Sequence, residues 1–359
     1  MTKQQPIGIG IVGLGRAGWG MHGPELQGKE AQFRIVAGCD VDAEHRRRFA
    51  GKYGCKVYGN VNDLLQDPNV ELVDIATRSA DHVCHALLGL KTGKDVFLEK
   101  PISVSYPEAL KLKQAQARSK GTLYVRHNRR FEPGFQHIQE IMQSGILGWV
   151  YEIKLRRNGY GRRDDWQTLI RCGGGQLLNW GPHIIDHALR FLESPVAEQW
   201  SDLQRIAAVG DAEDHVHVIL KGENGRIVDL EISGGAALEE PEYLVLGTKG
   251  ALQSSGDEIR LRYLDPGCKL PSRRAKAGTP KEGFGSPDPL KWIDETIKVA
   301  PKSGVNMTTI WDCLYASIRL GKRFPITLDQ AIEVMRVVSA AKRGTPFVLS
   351  PERKKRSSV

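Results

Sequence analysis

The chain has 359 residues, 40% of them hydrophobic and 26% charged, with a formal net charge of +9. That length exceeds what one hydrophobic core usually supports, so two domains are expected, and the composition is that of a globular chain and not a disordered one. No apolar run approaches the span of a bilayer, no signal pattern opens the sequence, and the spread of Lys and Arg without a nucleic-acid motif sets a nucleic-acid partner aside.

In chain order, the apolar run Ile7–Val12 comes first, followed by Gly13-Leu14-Gly15-Arg16-Ala17-Gly18. Phe33–Cys39 ends at Asp40, Glu71–Ala76 is followed by Thr77, and Asp95–Leu98 leads into Glu99-Lys100-Pro101. Each run reads as a buried parallel strand and the segments between as crossover helices. Thr122–Arg126 adds a further strand, closing a doubly wound Rossmann sheet over residues 1–126. Phe135–Ser144 is amphipathic and predicts a helix, and Trp149–Arg156 alternates as a strand does. Later strands are predicted at His215–Leu220, Arg226–Ile232, Tyr243–Leu246 and Leu252–Ser254, with Asn224-Gly225 as a hairpin turn. Asp265–Pro289 reads as a long exposed loop, and helical patterns return at Pro289–Ala300, Thr308–Leu320 and Leu328–Lys342. Residues 127–350 are thus expected to form an α/β domain on an open, mainly antiparallel sheet. The basic tail 351–359 is expected to be frayed. Six cysteines are scattered without metal-like spacing, several inside apolar runs, which suits a reducing cytoplasm.

The glycine motif has a reason at each position. Gly13 permits the tight turn out of the strand, Gly15 lets the backbone approach a pyrophosphate, and Gly18 lets the following helix pack on the sheet. Asp40 stands 22 residues after Gly18, placed to accept hydrogen bonds from the adenosine ribose. Its charge would repel a 2′-phosphate, so NAD is favoured over NADP; Arg46, Arg47 and Arg48 read as a solvated face of the next helix. Lys100 stands at a strand's carboxyl end, where open α/β sheets bind ligands, and can face the reacting end of a nicotinamide.

On these landmarks the chain resembles the Gfo/Idh/MocA family of oxidoreductases, named for glucose–fructose oxidoreductase and inositol dehydrogenase. The resemblance rests on the glycine turn, Asp40, Ala76-Thr77 with His82 following, Gly93–Val96 leading into Glu99-Lys100-Pro101, and a second motif at Gly174–Asp186. It implies a Rossmann domain followed by an α/β domain that closes the active site and forms a homodimer or homotetramer. In this reading Gly13, Gly15, Arg16, Ala17, Gly18, Asp40, Thr77, His82, Glu99, Lys100 and Asn128 hold the cofactor. Lys100 and His183 are the catalytic pair. Asn128, Arg163, Trp166 and Asn179 join them around the substrate.

Asn179 and His183 are four apart and share a face if one helix carries both. Asn179 stands where the family pattern has Asp, and an amide cannot take up a proton, which puts a relay through that position in doubt. Arg130 either lines the cleft with Asn128 or makes a structural ion pair. Tyr160, Arg163, Asp165 and Trp166 offer an aromatic and polar groups for a sugar, or a loop packed on its own Trp. His183, Asp186 and His187 have metal-like spacing but no third distant ligand, so no metal is expected. His215 and His217 read as structural. The leading reading is an NAD-dependent dehydrogenase or reductase acting on a sugar, cyclitol or related polyol. The alternative is an NAD-dependent glycosidase or isomerase with transient oxidation and no net redox change. A cofactor-bound regulator is the non-enzyme reading.

Overall fold

The computed structural model describes residues 5–349 apart from positions 281, 284, 286 and 287, so the basic tail lies outside the described residues. β1 (Ile7–Val12) is buried at every residue because it lies in the middle of a parallel sheet. After the glycine turn the chain runs through helical residues Gly18–His22, with π-type bonding, into α1 (Gly23–Glu25). There follow β2 (Phe33–Cys39), α2 (Ala43–Tyr53), β3 (Lys56–Tyr58), α3 (Val61–Gln66), β4 (Leu72–Ile75) and α4 (His82–Lys91). β5 (Asp95–Glu99), α5 (Tyr106–Gln116) and β6 (Leu123–Arg126) complete the unit. The ends of α2 follow from its sequence: Asp42 accepts from the N–H groups of Glu44 and His45, and Gly54 stops the helix in the left-handed conformation at φ 60°. The strand order β3-β2-β1-β4-β5-β6 reverses between β1 and β4, and ligands bind at such a switch point.

α6 (Pro133–Gln143) leads into β7 (Val150–Asn158), then α7 (Gln176–Asn179) and α8 (Gly181–Leu192). The strands β8 (Val196–Gln204), β9 (His215–Gly222), β10 (Ile227–Ser233), β11 (Tyr243–Gly247), β12 (Gly250–Ser255), β13 (Glu258–Leu264) and β14 (Trp292–Lys298) follow. With β7 they form an eight-stranded sheet, ordered β14-β13-β12-β11-β7-β10-β9-β8, antiparallel except where β10 pairs with β7. One face is packed and one is open, as β9 shows: Val216, Val218 and Leu220 are fully buried while His215, His217 and Ile219 between them are half-buried. α8 covers the packed face. α9 (Thr309–Leu320) returns to the first sheet, where Trp311 meets the rings of Phe33 and Phe97 edge-on. α10 (Leu328–Lys342) packs on α5, α8 and β8 and so ties the two sheets together. Thr327 and Gln330 close its start with a reciprocal capping pair.

Two expectations are corrected. Pro289–Ala300 is not helical; its centre is β14, paired antiparallel with β13 from Leu264↔Trp292 to Glu258↔Lys298. Ile293 and Ile297 are four apart, a spacing that shares a face in a helix and equally in a strand, and the open edge of β13 supplies backbone partners that decide for the strand. Asn179 and His183 do not share one helix. α7 ends at Asn179 and α8 begins at Gly181, because Pro182 has no N–H to continue the ladder. The described residues between Asp265 and Lys291 form no helix or strand, in keeping with a loop there.

Candidate active site

A cleft of about 1270 Å³ runs along the carboxyl ends of β1, β2, β4 and β5, closed on its far side by residues 163–167, α7 and the start of α8. At one end lies the glycine turn. Gly13 takes φ +93°, and a Cβ there would stand 2.7 Å from the Ala76 carbonyl oxygen; one on Gly18 would stand 2.1 Å from the Gly13 oxygen. Gly15 differs: nothing lies within 4 Å of where its Cβ would be, so its backbone is open to the cleft. Exposed Arg16 adjoins it. A bare backbone with an adjacent guanidinium fits a dinucleotide's pyrophosphate.

Asp40, at the end of β2, is held by the turn itself. Its Oδ2 accepts from Leu14 N–H at 2.8 Å and lies 3.3 Å from His45 Nδ1, while Oδ1 accepts from Asp42 N–H at 2.9 Å. Arg47 and Arg48 are exposed, as on a solvated face, and Arg46 beside them is half-buried. It folds back to donate to the carbonyls of Asp40 and Val41 at 2.7 and 2.9 Å. Arg48 stacks on Trp19 at 4.0 Å. Ala17 and Thr77 line the cleft, and His82 ties its wall together by contacts with the carbonyls of Thr77 and Pro101 at 3.0 and 2.6 Å.

At the other end stand Lys100, Asn128, Asn179 and His183, all on the cleft wall. Lys100 Nζ donates to the backbone oxygen of Asn179 at 3.0 Å, which bridges the two sequence motifs. The Asn179 side-chain oxygen accepts from Gln167 at 3.2 Å. Burial is the main reason the Lys100 pKa falls to about 8; Arg16, Arg129 and Arg126 add repulsion against the pull of Glu99. Burial, then Lys100 and Arg129, hold His183 well below the usual histidine range, so it is neutral near physiological pH. Its Nδ1 is buried without a hydrogen-bond partner.

Arg163 and Trp166 both line the cleft, and Arg163 is fixed by Asp165 and Gln167 at 2.6 Å each. Arg163, Gln167, Asn179 and Trp180 also border a smaller cavity of about 410 Å³ that extends toward Tyr160 and β7. Arg130 is the structural ion pair: its Nε and one terminal nitrogen meet both Asp186 oxygens at 2.6 Å. His187 stacks on Phe135 at 4.0 Å. His217 pairs with Asp229 and His215 with Ser233. Among the described residues no group of three or more His, Cys, Asp or Glu is placed to hold a metal ion. No helix of the described residues is long and apolar enough to cross a membrane.

Beneath Lys100 lies a charged cluster that sequence patterns do not mark. His22 is fully buried, with Nδ1 2.7 Å from Asp74 Oδ2 and Nε2 3.0 Å from Glu99 Oε1. Arg126 reaches the same Glu99 oxygen at 2.6 Å and also binds Glu25, which accepts from Trp311 Nε1 at 2.7 Å. Arg129 over the Trp180 ring at 4.4 Å and Gln167 on Asn179 are the other wall residues missed. Each lies in an ordinary-looking segment and acquires its neighbours only through the fold.

The glycine cradle at the switch point of a parallel sheet is that of a dinucleotide-binding fold. The chain belongs to the Gfo/Idh/MocA family: residues 7–127 match its NAD-binding Rossmann domain and residues 135–253 its C-terminal domain. It is 26% identical over 344 residues to the scyllo-inositol 2-dehydrogenase (NADP(+)) of Bacillus subtilis, covering 94% of each chain. Myo-inositol 2-dehydrogenase of Thermotoga maritima is 27% identical over 254 residues, 68% of this chain and 74% of that one. The crystal structure of an NAD-binding protein from Listeria innocua superposes with a TM-score of 0.80 at 22% identity, over 95% of this chain and 98% of that one, a likeness of fold. The protein is thus an oxidoreductase with an NAD-binding fold. The inositol relatives are named as dehydrogenases, which gives no support to a glycosidase or isomerase without net redox change.

Proposed function

We propose that the protein is an NAD-dependent dehydrogenase that transfers a hydride between nicotinamide and a hydroxyl-bearing carbon of a sugar, cyclitol or related polyol. The observation that carries this is that Lys100 and His183 both line the end of the cleft away from the open backbone of Gly15. Bound NAD⁺ supplies the hydride acceptor, and the chain's residues handle the proton and position the substrate. Neutral His183 accepts the hydroxyl proton, and Lys100 hydrogen-bonds the same oxygen and stabilises the developing alkoxide. Lys100 shares the base role once deprotonated, so oxidation is expected to rise with pH through about 8, while His183 is already neutral below that range. Asn128, Arg163, Trp166 and Asn179 hold the remaining hydroxyls, with the cavity toward Tyr160 taking what extends beyond the reacting carbon.

In this reading residues 1–126 carry the cofactor and residues 127–350 the substrate wall and subunit contacts. Asp40 favours NAD over NADP through the ribose hydroxyls. The six free cysteines suit a reducing cytoplasm. The test is a panel of inositols, aldoses and polyols with NAD⁺, followed by NADH absorbance beside product analysis. NADH formed in step with a ketone or lactone supports the proposal. Product without NADH, or neither, overturns it.

A further inference from the structure

We infer that His22 is an imidazolium throughout the neutral pH range and acts as a positioning residue for Lys100, holding Glu99 ionised and locked behind it. Both His22 ring nitrogens face carboxylate oxygens, Asp74 at 2.7 Å and Glu99 at 3.0 Å, with the ring fully buried. A carboxylate oxygen only accepts, so both nitrogens must donate, and a neutral imidazole has one N–H. The ring is delivered there by the π-type stretch Gly18–His22, where Gly23 N–H bonds back to the Gly18 oxygen; such bulges recur at functional sites.

Glu99 is held at both oxygens by this arrangement. Its Oε1 takes His22 and Arg126, and its Oε2 accepts the backbone N–H of Lys100 at 2.9 Å. The carboxylates of Asp74, Glu99 and Glu25 face the cations His22 and Arg126, leaving one net negative charge that Lys100 offsets. A neutral His22 would leave two. The other charged or titratable groups around Lys100 are Arg16 from the glycine turn, Arg129 from the segment before α6, His82 from α4 and His183 from α8. His127, which follows β6, also senses the Lys100 charge. Around His22 the remaining neighbour is the Trp311 ring from α9, edge-on at 6.0 Å. Burial acts to lower the His22 pKa, but Asp74 and the two hydrogen bonds overcome burial and the repulsion of Arg126, pushing it up to about 9. His22 therefore sets how much of the Glu99 charge reaches Lys100.

The consequence for catalysis rests on the proposed role of Lys100; the charge state of His22 does not, so two measurements separate them. Spectra of the unmodified protein with isotope-labelled histidine, assigned by correlating each ring with its own backbone resonances, are expected to show both His22 nitrogens protonated from about pH 6 to about pH 8. A single protonated nitrogen, or titration inside that range, overturns the inference whether or not a substrate is known. In His22→Gln the loss of a cation leaves Glu99 less neutralised, which favours the Lys100 ammonium. The Lys100 inflection in the pH dependence of kcat/KM should then move up by roughly one unit. A purely structural role would lower kcat and leave the inflection in place, which also overturns the inference. If the variant fails to fold, the spectra of the unmodified protein decide.

Discussion

Asp40 is the residue whose placement bears most directly on cofactor choice. Its carboxylate is anchored by Leu14 and Asp42 N–H groups, with His45 beside Oδ2, and Oδ1 keeps a lone pair for a ribose hydroxyl. NAD is expected to bind more tightly than NADP, and Asp40→Ala should narrow the gap by weakening NAD binding; titration by fluorescence measures both. Equal or better NADP binding by the unmodified protein would contradict the assignment, and Arg46, already engaged on the Asp40 carbonyl, would be the residue to examine next. The glycines, Asp40, Lys100 and His183 are legible in the sequence because each is tied to a local turn or a strand end. His22, Arg126 and Gln167 are not. His22 depends on a helical stretch with an unusual bonding pattern, and its partners lie 52 and 77 residues away.

At the scale of elements, the segment after β6 is fastened to α8 by Arg130 and Asp186, both under a tenth exposed. Arg130 also reaches Gln330 at the start of α10 at 2.6 Å, so one side chain joins three elements behind the active site. Arg130→Met leaves the Asp186 carboxylate buried without its bidentate partner, and should cost about 3–5 kcal/mol in denaturant unfolding. Replacing both, as Arg130→Met with Asp186→Leu, should recover part of that loss. A single variant within about 0.5 kcal/mol of the unmodified protein would show that the pair does not fasten the elements.

Strong periodicity made most elements readable: Leu328–Lys342 has the bounds its pattern implies, and β9 and β10 flank the Asn224-Gly225 turn. Two failures have different causes. β8 (Val196–Gln204) carries no strand signal because it is an edge strand of mostly polar residues in which Leu203 alone is buried. β14 reads as a helix in the sequence because Ile293 and Ile297 fit either period, and only pairing with β13 discriminates. β13 itself alternates Ile259, Leu261 and Tyr263 inward, a signal that was present in the sequence.

For the molecule as a whole, the open face of the eight-stranded sheet asks for a partner. Trp200 is 54% exposed on that face beside His217, and Trp149 at the start of β7 is 53% exposed. Two-fold pairing through this surface is the expected assembly, and sedimentation at micromolar concentration should give at least a dimer. A monomer throughout would contradict it.

The central proposal is that two distant motifs, one following β5 and one opening α8, act on a single hydroxyl at the end of the cleft that Lys100 and His183 line. Steady-state turnover of Lys100→Ala and His183→Ala, measured beside their NAD affinity, tests this most directly. Each should lose roughly 10²-fold or more in kcat while NAD affinity changes far less, and the double variant should lose less than the product of the two. Near-normal turnover in either single variant would remove that residue from the mechanism and with it the claim that the cleft's two motifs act together.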